Sequence, residues 1–240
     1  MKINIVRFEC GKSYEQQYEL KFKKYHNRLL DAFVEIKTKI DSTLTFRSGC
    51  KSGVCGSCAV RVNGVEKLAC KCVANDGDTI EPILKHTVVR DLVCNYEDAL
   101  SKLKIIEPNI QSPSHLQICK KDEKKIDKQS DCILCQSCYS ACPVLDYNSD
   151  FLGPYALTKS YRYIEDKKGS QTINKLDAIQ KNGIWDCTLC GNCTMVCPQG
   201  IDPKADILQL RNISVINGFQ NPTQAIGSFG LDFGFNPNNF

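Results

Sequence analysis

Two stretches, CILCQSCYSACP at residues 132–143 and CTLCGNCTMVCP at residues 187–198, align at every cysteine, at the closing proline and at Leu134 with Leu189. Both read C-x2-C-x2-C-x3-C-P, so the chain contains an internal repeat that crowds eight thiols into two short turns. Secreted disulfide scaffolds spread their cysteines so that bridges close sizeable loops, which this pattern does not do. A third cysteine just after a C-x2-C pair also overfills a tetrahedral zinc site. Three thiolates at intervals of three can curl around one face of an iron-sulfur cubane. The fourth lies past a helical turn and points away, and the proline ends the turn there. The spacing predicts that Cys132, Cys135, Cys138 and Cys197 hold one 4Fe-4S cluster, and that Cys142, Cys187, Cys190 and Cys193 hold a second. Zinc is the alternative that the residues leave open.

A third group, Cys50, Cys55 and Cys58, reads C-x4-C-x2-C, with Cys70 further on. This is the plant-type 2Fe-2S spacing: a loop places three thiolates and a neighbouring strand returns the fourth. Gly49, Gly53 and Gly56 let that loop bend tightly and bring its N–H groups toward sulfur. Cys72 competes with Cys70 for the fourth position, and spacing favours Cys70. The other cysteines outside the motifs, Cys10, Cys94 and Cys119, read like Cys72 otherwise would, as incidental or buried thiols in a reducing compartment.

Residues 2–8 alternate as a strand, residues 18–22 alternate again, and a helix is expected over residues 28–40. The opening MKINIVRF reads as that strand and not as a signal peptide. Asn63-Gly64 between short alternating runs marks a hairpin. The expected fold class is α+β: a plant-type (β-grasp) 2Fe-2S ferredoxin domain over residues 1–110, then an all-α two-cubane ferredoxin-like domain over residues 111–216. Short helices are expected around residues 96–103, 133–141, 155–164, 176–180, 189–196 and 204–212. Residues 217–240, rich in Asn, Gly, Phe and Pro, are expected to form an extended or partner-docked tail.

The formal charge of +4 is scattered, and the basic run at residues 120–128 is interrupted by acids, so a nucleic-acid partner is not expected. No apolar run is long enough to span a bilayer, so membrane contact would come through a partner. No nucleotide-binding glycine pattern or paired catalytic carboxylates are found, and His26, His86 and His115 are isolated. Three clusters without a substrate site suggest an electron wire with no catalytic residues of its own.

A plant-type 2Fe-2S domain followed by a two-cubane domain resembles the iron-sulfur subunit of succinate dehydrogenases and fumarate reductases. The resemblance runs over residues 44–212, through LTFRSGCKSGVCGSC, NGVEKLAC, VVRDLV, FLGPYAL, SYRYI and NCTMVCPQGIDP. It implies an FAD-containing flavoprotein partner that interconverts succinate and fumarate, with the 2Fe-2S cluster beside the flavin. It also implies a membrane subunit that exchanges electrons with quinone. The conventional branch lacks a cysteine at the position of Cys190 and holds a 3Fe-4S cluster there. It has a quinone-site Trp where this chain has Tyr147, and a His where it has Thr188. These departures resemble the non-classical branch that includes methylmenaquinol:fumarate reductases, which implies a separate cysteine-rich partner of the CCG type. Attachment is expected to be peripheral on the bacterial inner membrane, on the cytoplasmic side by default and on the periplasmic side by co-export with the flavoprotein. The alternatives are the iron-sulfur subunit of another flavin-dependent dehydrogenase and a stand-alone ferredoxin-type carrier.

An oxidised cluster with four thiolates carries about −2, so three clusters change the charge by about −6. The chain therefore passes from +4 to roughly −2 on loading. Isoelectric focusing of anaerobic holo-protein and of chelator-stripped protein should show the holo form as the more acidic; equal isoelectric points would contradict the three-cluster count.

Overall fold

The computed structural model describes residues 1–20, 28–110, 113–169 and 172–222. Phe22, at the end of the second predicted strand, His26 and residues 223–240 of the predicted tail lie outside the described residues. β1 (Lys2–Glu9) and β2 (Lys12–Glu19) form an antiparallel hairpin through Cys10 and Gly11, both at positive φ. β3 (Ala59–Val62) and β4 (Val65–Leu68) form the second hairpin, and Asn63 and Gly64 at φ 51° and 80° supply the left-handed turn the sequence predicted. β5 (Thr79–Glu81) lies between the hairpins, parallel to β1 and antiparallel to β3, giving the order β2-β1-β5-β3-β4. β6 (Thr87–Arg90) and β7 (Val93–Asn95) make a separate two-stranded ribbon.

The predicted helix over residues 28–40 is α1 (Leu29–Glu35), continued by a π-helical turn over Ile36–Ile40. Leu29, Leu30, Phe33 and Ile36 from this helix meet Ile3, Ile5, Val60 and Ile80 from the sheet in one buried cluster, as in a sheet grasping a helix. The remaining elements are helical: α2 (Glu97–Ile106), α3 (Lys120–Lys124), α4 (Asp127–Ser130), α5 (Ser137–Ser140), α6 (Pro154–Ile164), α7 (Thr172–Asp177), α8 (Asn192–Met195) and α9 (Pro203–Ile216). A second buried cluster gathers Ala99 and Ile106 of α2 with Phe151, Leu157, Leu176, Ile207 and Leu210. The hydrophobic division therefore falls between Cys94, which packs with the sheet, and Ala99, which packs with the helices. Among the described residues no helix is long and apolar enough to cross a membrane.

Two predicted helices are much shorter than their sequence pattern. Over residues 133–141 only α5 is helical, and over residues 189–196 only α8. Leu134 and Gln136 in the first repeat, and Leu189 and Gly191 in the second, have φ of 53°, 66°, 56° and 84°. A leucine in this left-handed region is strained by about 1–2 kcal/mol. The repeated strain shows that both cysteine turns wrap instead of coiling as helix.

The inward face of β1 continues past Ile3 and Ile5 to Arg7, which is only 1% exposed. Its guanidinium donates to Asp91 Oδ1 (2.8 Å), Gln16 Oε1 (2.8 Å), Tyr18 Oη (2.6 Å), Asp41 Oδ2 (2.8 Å) and Thr43 Oγ1 (3.0 Å). Asp91 also accepts from the N–H groups of Phe8 (3.2 Å) and Thr45 (2.7 Å). Hydrogen bonds from Thr43, Tyr18 and Arg7 hold the Asp41 carboxyl well below the usual carboxylate range against the cost of burial. This buried network fixes the segment that leads into the first cysteine loop. Removing one partner of a buried pair strands the other charge, at about 3–5 kcal/mol. Arg7→Leu should therefore lower the temperature at which the visible absorbance of the N-terminal cluster is lost. An unchanged midpoint would show that the network is dispensable.

Candidate iron-sulfur sites

Residues 46–58 form a loop with no regular secondary structure, as glycines at tight turns dictate. A Cβ on Gly49 would lie 2.9 Å from Cys55 Sγ, so the backbone passes directly against that thiol. The Cys50 sulfur accepts from the N–H groups of Ser52 (3.4 Å) and Val54 (3.3 Å), and the Cys55 sulfur from that of Cys50 (3.4 Å). The Ser52 hydroxyl first, then these N–H groups, pull the Cys50 thiol down to about 5. Cys58 is buried instead, and desolvation pushes it up to about 11 with Cys70 and Cys55 as its neighbouring thiols. Cys70 reaches this group from the turn after β4, where Ala69 N–H donates to Cys58 O (3.0 Å). Cys72 turns elsewhere, its thiol directed at Val73 O (3.2 Å).

The second site is a small cavity of about 30 Å³ lined by Cys132, Cys135, Cys138 and Cys197. These are the four thiols that the three-plus-one division of the repeat predicts. Ile133, Leu134, Tyr155 and Ile201 complete an apolar wall. Burial pushes the Cys132, Cys135 and Cys138 thiols up, Cys138 furthest, so proton loss there requires a compensating cation. The Cys197 sulfur accepts from Ile201 N–H (3.4 Å), and the Cys135 thiol lies 3.4 Å from Ser137 Oγ. Gln136, 1% exposed on the same wall, leaves its Oε1 buried without a partner. Its Nε2 donates to Leu134 O (3.1 Å) on the same wall. Four soft donors and an apolar wall fit a thiolate-held cluster. Among the described residues no three His, Cys, Asp or Glu side chains converge as one metal ion would need.

The third group sits across α5 and α8. Burial raises Cys142 and Cys187, and pushes Cys193 up to about 12; the thiols acting on Cys193 are Cys187, Cys142 and Cys190. Leu189 N–H donates to Cys187 Sγ (3.4 Å), made possible by the left-handed turn at Leu189. Cys190 is exposed, as are Tyr147 and Met195. Cys94 is fully buried against Ile83 O, and Cys10 and Cys119 are exposed, so these three stand apart from the sites.

The sites are packed against one another. A Cβ on Gly56 would lie 2.8 Å from Cys135 Cβ and 2.9 Å from Cys135 Cα, so the first loop touches the second with no side chain between. Gln199, just past Cys197, donates to Gly53 O (2.8 Å). At the junction of the two units, Leu84 N–H donates to Ser140 Oγ (2.7 Å), which donates to buried Glu66 Oε1 (2.7 Å). His86 stacks between Tyr96 (4.8 Å) and Tyr139 (5.2 Å), and burial lowers it to about 4, a neutral structural imidazole. His115 is exposed. Sequence reasoning missed Arg7 and Gln136. Only Arg7 carried a signal, its inward position in an alternating strand.

Residues 2–101 match the family described as 2Fe-2S iron-sulfur cluster binding domain, and residues 128–201 match the 4Fe-4S dicluster domain. The chain is 34% identical over 235 residues to the 8-methylmenaquinol:fumarate reductase iron-sulfur subunit of Wolinella succinogenes, covering 91% of this chain and 74% of that protein. It is 33% identical over 233 residues to the fumarate reductase iron-sulfur subunit of Escherichia coli O6:H1, covering 87% of this chain and 91% of that one. A chain of the Mycobacterium smegmatis Sdh1 complex in its apo form shares the fold with TM-score 0.79 at 22% identity, over 91% of this chain and 97% of that one. With a 2Fe-2S domain, a 4Fe-4S dicluster domain and a third of its residues in common with curated relatives over most of its length, the chain belongs to the family of succinate dehydrogenase and fumarate reductase iron-sulfur subunits.

Proposed function

We propose that the chain relays single electrons through three clusters between an FAD-containing succinate/fumarate flavoprotein and a quinone-reactive membrane subunit. The observation that carries this reading is the direct contact of Gly56 with Cys135, which leaves no insulating side chain between the first two thiol groups. Cys50, Cys55, Cys58 and Cys70 would hold the 2Fe-2S cluster. Cys132, Cys135, Cys138 and Cys197 would hold the first 4Fe-4S cluster, and Cys142, Cys187, Cys190 and Cys193 the second. Such clusters, when bound, accept and release one electron each. The chain's own part is to supply thiolates, aim backbone N–H groups at them, exclude water from the central site and keep the loops in contact.

In this reading the subunit binds no substrate and acts as the non-catalytic part of an oxidoreductase complex. The likeness to the Wolinella succinogenes subunit favours a cysteine-rich CCG-type membrane partner, and Tyr147 and Thr188 fit a departure from the conventional quinone pocket. Attachment is through partners, on the cytoplasmic face unless the flavoprotein carries the complex out.

Two outcomes test this. Gly56→Ala places a side chain at φ 70° and drives it into Cys135, straining the loop by about 1–3 kcal/mol unless the loops part. In the intact complex it should weaken magnetic coupling between the first two centres and slow fumarate reduction, with the iron content retained. Unchanged coupling would remove the contact from the relay. Iron analysis should give about ten irons per chain, and Cys190→Ala about nine, with a three-iron EPR signal appearing only in the variant. The same signal in undamaged parent protein would overturn the ligand role of Cys190.

A further inference from the structure

Helix α9 carries two buried or half-buried charges that have no ion-pair partner among the described residues, Asp206 and Arg211. They are five positions apart, about 7.5 Å along the axis and on different faces of the helix. Asp206 is 3% exposed, and its carboxylate accepts from Gln129 Nε2 (2.7 Å) and Thr158 Oγ1 (2.8 Å). Thr158 is itself part of the wall of the cavity formed by Cys132, Cys135, Cys138 and Cys197, so Asp206 stands directly behind that wall. Arg211 points the other way: Nε donates to Ile184 O (2.8 Å), and Nη2 donates to Cys187 O (2.6 Å) and Trp185 O (3.4 Å). Its guanidinium also lies 5.6 Å from the centre of the Trp185 ring.

An unpaired charge in a protein interior is costly, and a hydrophobic helix face would be cheaper if packing were all that α9 supplied. Each charge faces a different thiol group. We propose that Asp206 and Arg211 bias the relay, Asp206 holding the first cubane site at a lower reduction potential and Arg211 holding the second at a higher one. Reduction adds an electron to an already anionic group. A fixed negative charge nearby opposes it and a fixed positive charge favours it, more strongly where water is excluded. The step between the two sites then runs downhill for an electron moving from Cys132 and its partners toward Cys187 and its partners.

Lys102, whose Nζ is bound by Tyr139 Oη (2.8 Å), Ser149 O (2.6 Å) and Phe151 O (2.7 Å), adds a second buried cation whose field reaches Cys142. Burial pushes the Asp206 carboxyl up to about 6, so it is an anion above neutral pH.

This inference rests on the ligand sets proposed above, and EPR-monitored redox titration of the anaerobically purified complex, above neutral pH, separates the two. In Asp206→Asn the midpoint of the first cubane should rise while the second stays. In Arg211→Gln the midpoint of the second should fall while the first stays. Arg211→Lys and Asp206→Glu, which keep the charge, should titrate near the parent values. Intact signals at parent potentials in Asp206→Asn and Arg211→Gln would overturn the proposal, as would equal shifts of both cubanes in either variant. Absence of the cubane signals from the parent complex would overturn the ligand reading itself. Asp206→Asn is nearly isosteric and keeps the proposal testable if Arg211→Gln loses its centre.

Discussion

The sheet unit and the helical unit meet at Gly56 and Cys135, where two cysteine loops touch. Only a residue without a Cβ can occupy that position, because the next loop's backbone fills the space where a side chain would go. The contact requires the sheet unit and the helical unit to hold one fixed relation. Their junction is accordingly polar and directional: Glu66, Ser140 and Leu84 form a hydrogen-bonded chain, and Lys85 pairs with Asp146. Hydrophobic contact alone could slide, whereas directional bonds fix where one loop lies against the other.

Long basic side chains do much of the tethering. Arg7 ties β1 to the approach of the first cysteine loop. Lys102 ties α2 to the carbonyls of Ser149 and Phe151, Lys175 binds Glu107 O (2.8 Å), and Arg211 binds the turn before Cys187. The carbonyls of Ser149, Phe151 and Cys187 lie in irregular segments. A flexible stem carrying several donors can satisfy such groups over a range of backbone shapes. This suits a fold whose cysteine-bearing turns lie largely outside regular secondary structure.

The left-handed residues of the repeat show the same priority. Leu134 and Leu189 adopt nearly the same positive φ, 53° and 56°, in two turns far apart in sequence. Neither residue gains locally from that conformation. It is kept because it turns backbone N–H groups toward sulfur, as the Leu189 bond to Cys187 shows.

The sequence by itself determined the spacing of the cysteine motifs. Thiol spacing of two or three residues is a local constraint, and the C-x2-C-x2-C-x3-C-P repeat allows few ways to surround a cluster. It also determined the hairpin at Asn63-Gly64 and the order of a sheet unit followed by a helical one, because turn chemistry and alternation are short-range. Helix length within the cysteine turns was not legible: apolar spacing over residues 133–141 and 189–196 mimics a helix that the left-handed turns interrupt. The placement of Arg7 inside the sheet and that of Asp206 and Arg211 behind two different thiol groups were decided only by tertiary structure. Each depends on what residues distant in the chain leave unpaired, and burial converts those unpaired groups into fields and bonds that spacing alone cannot encode.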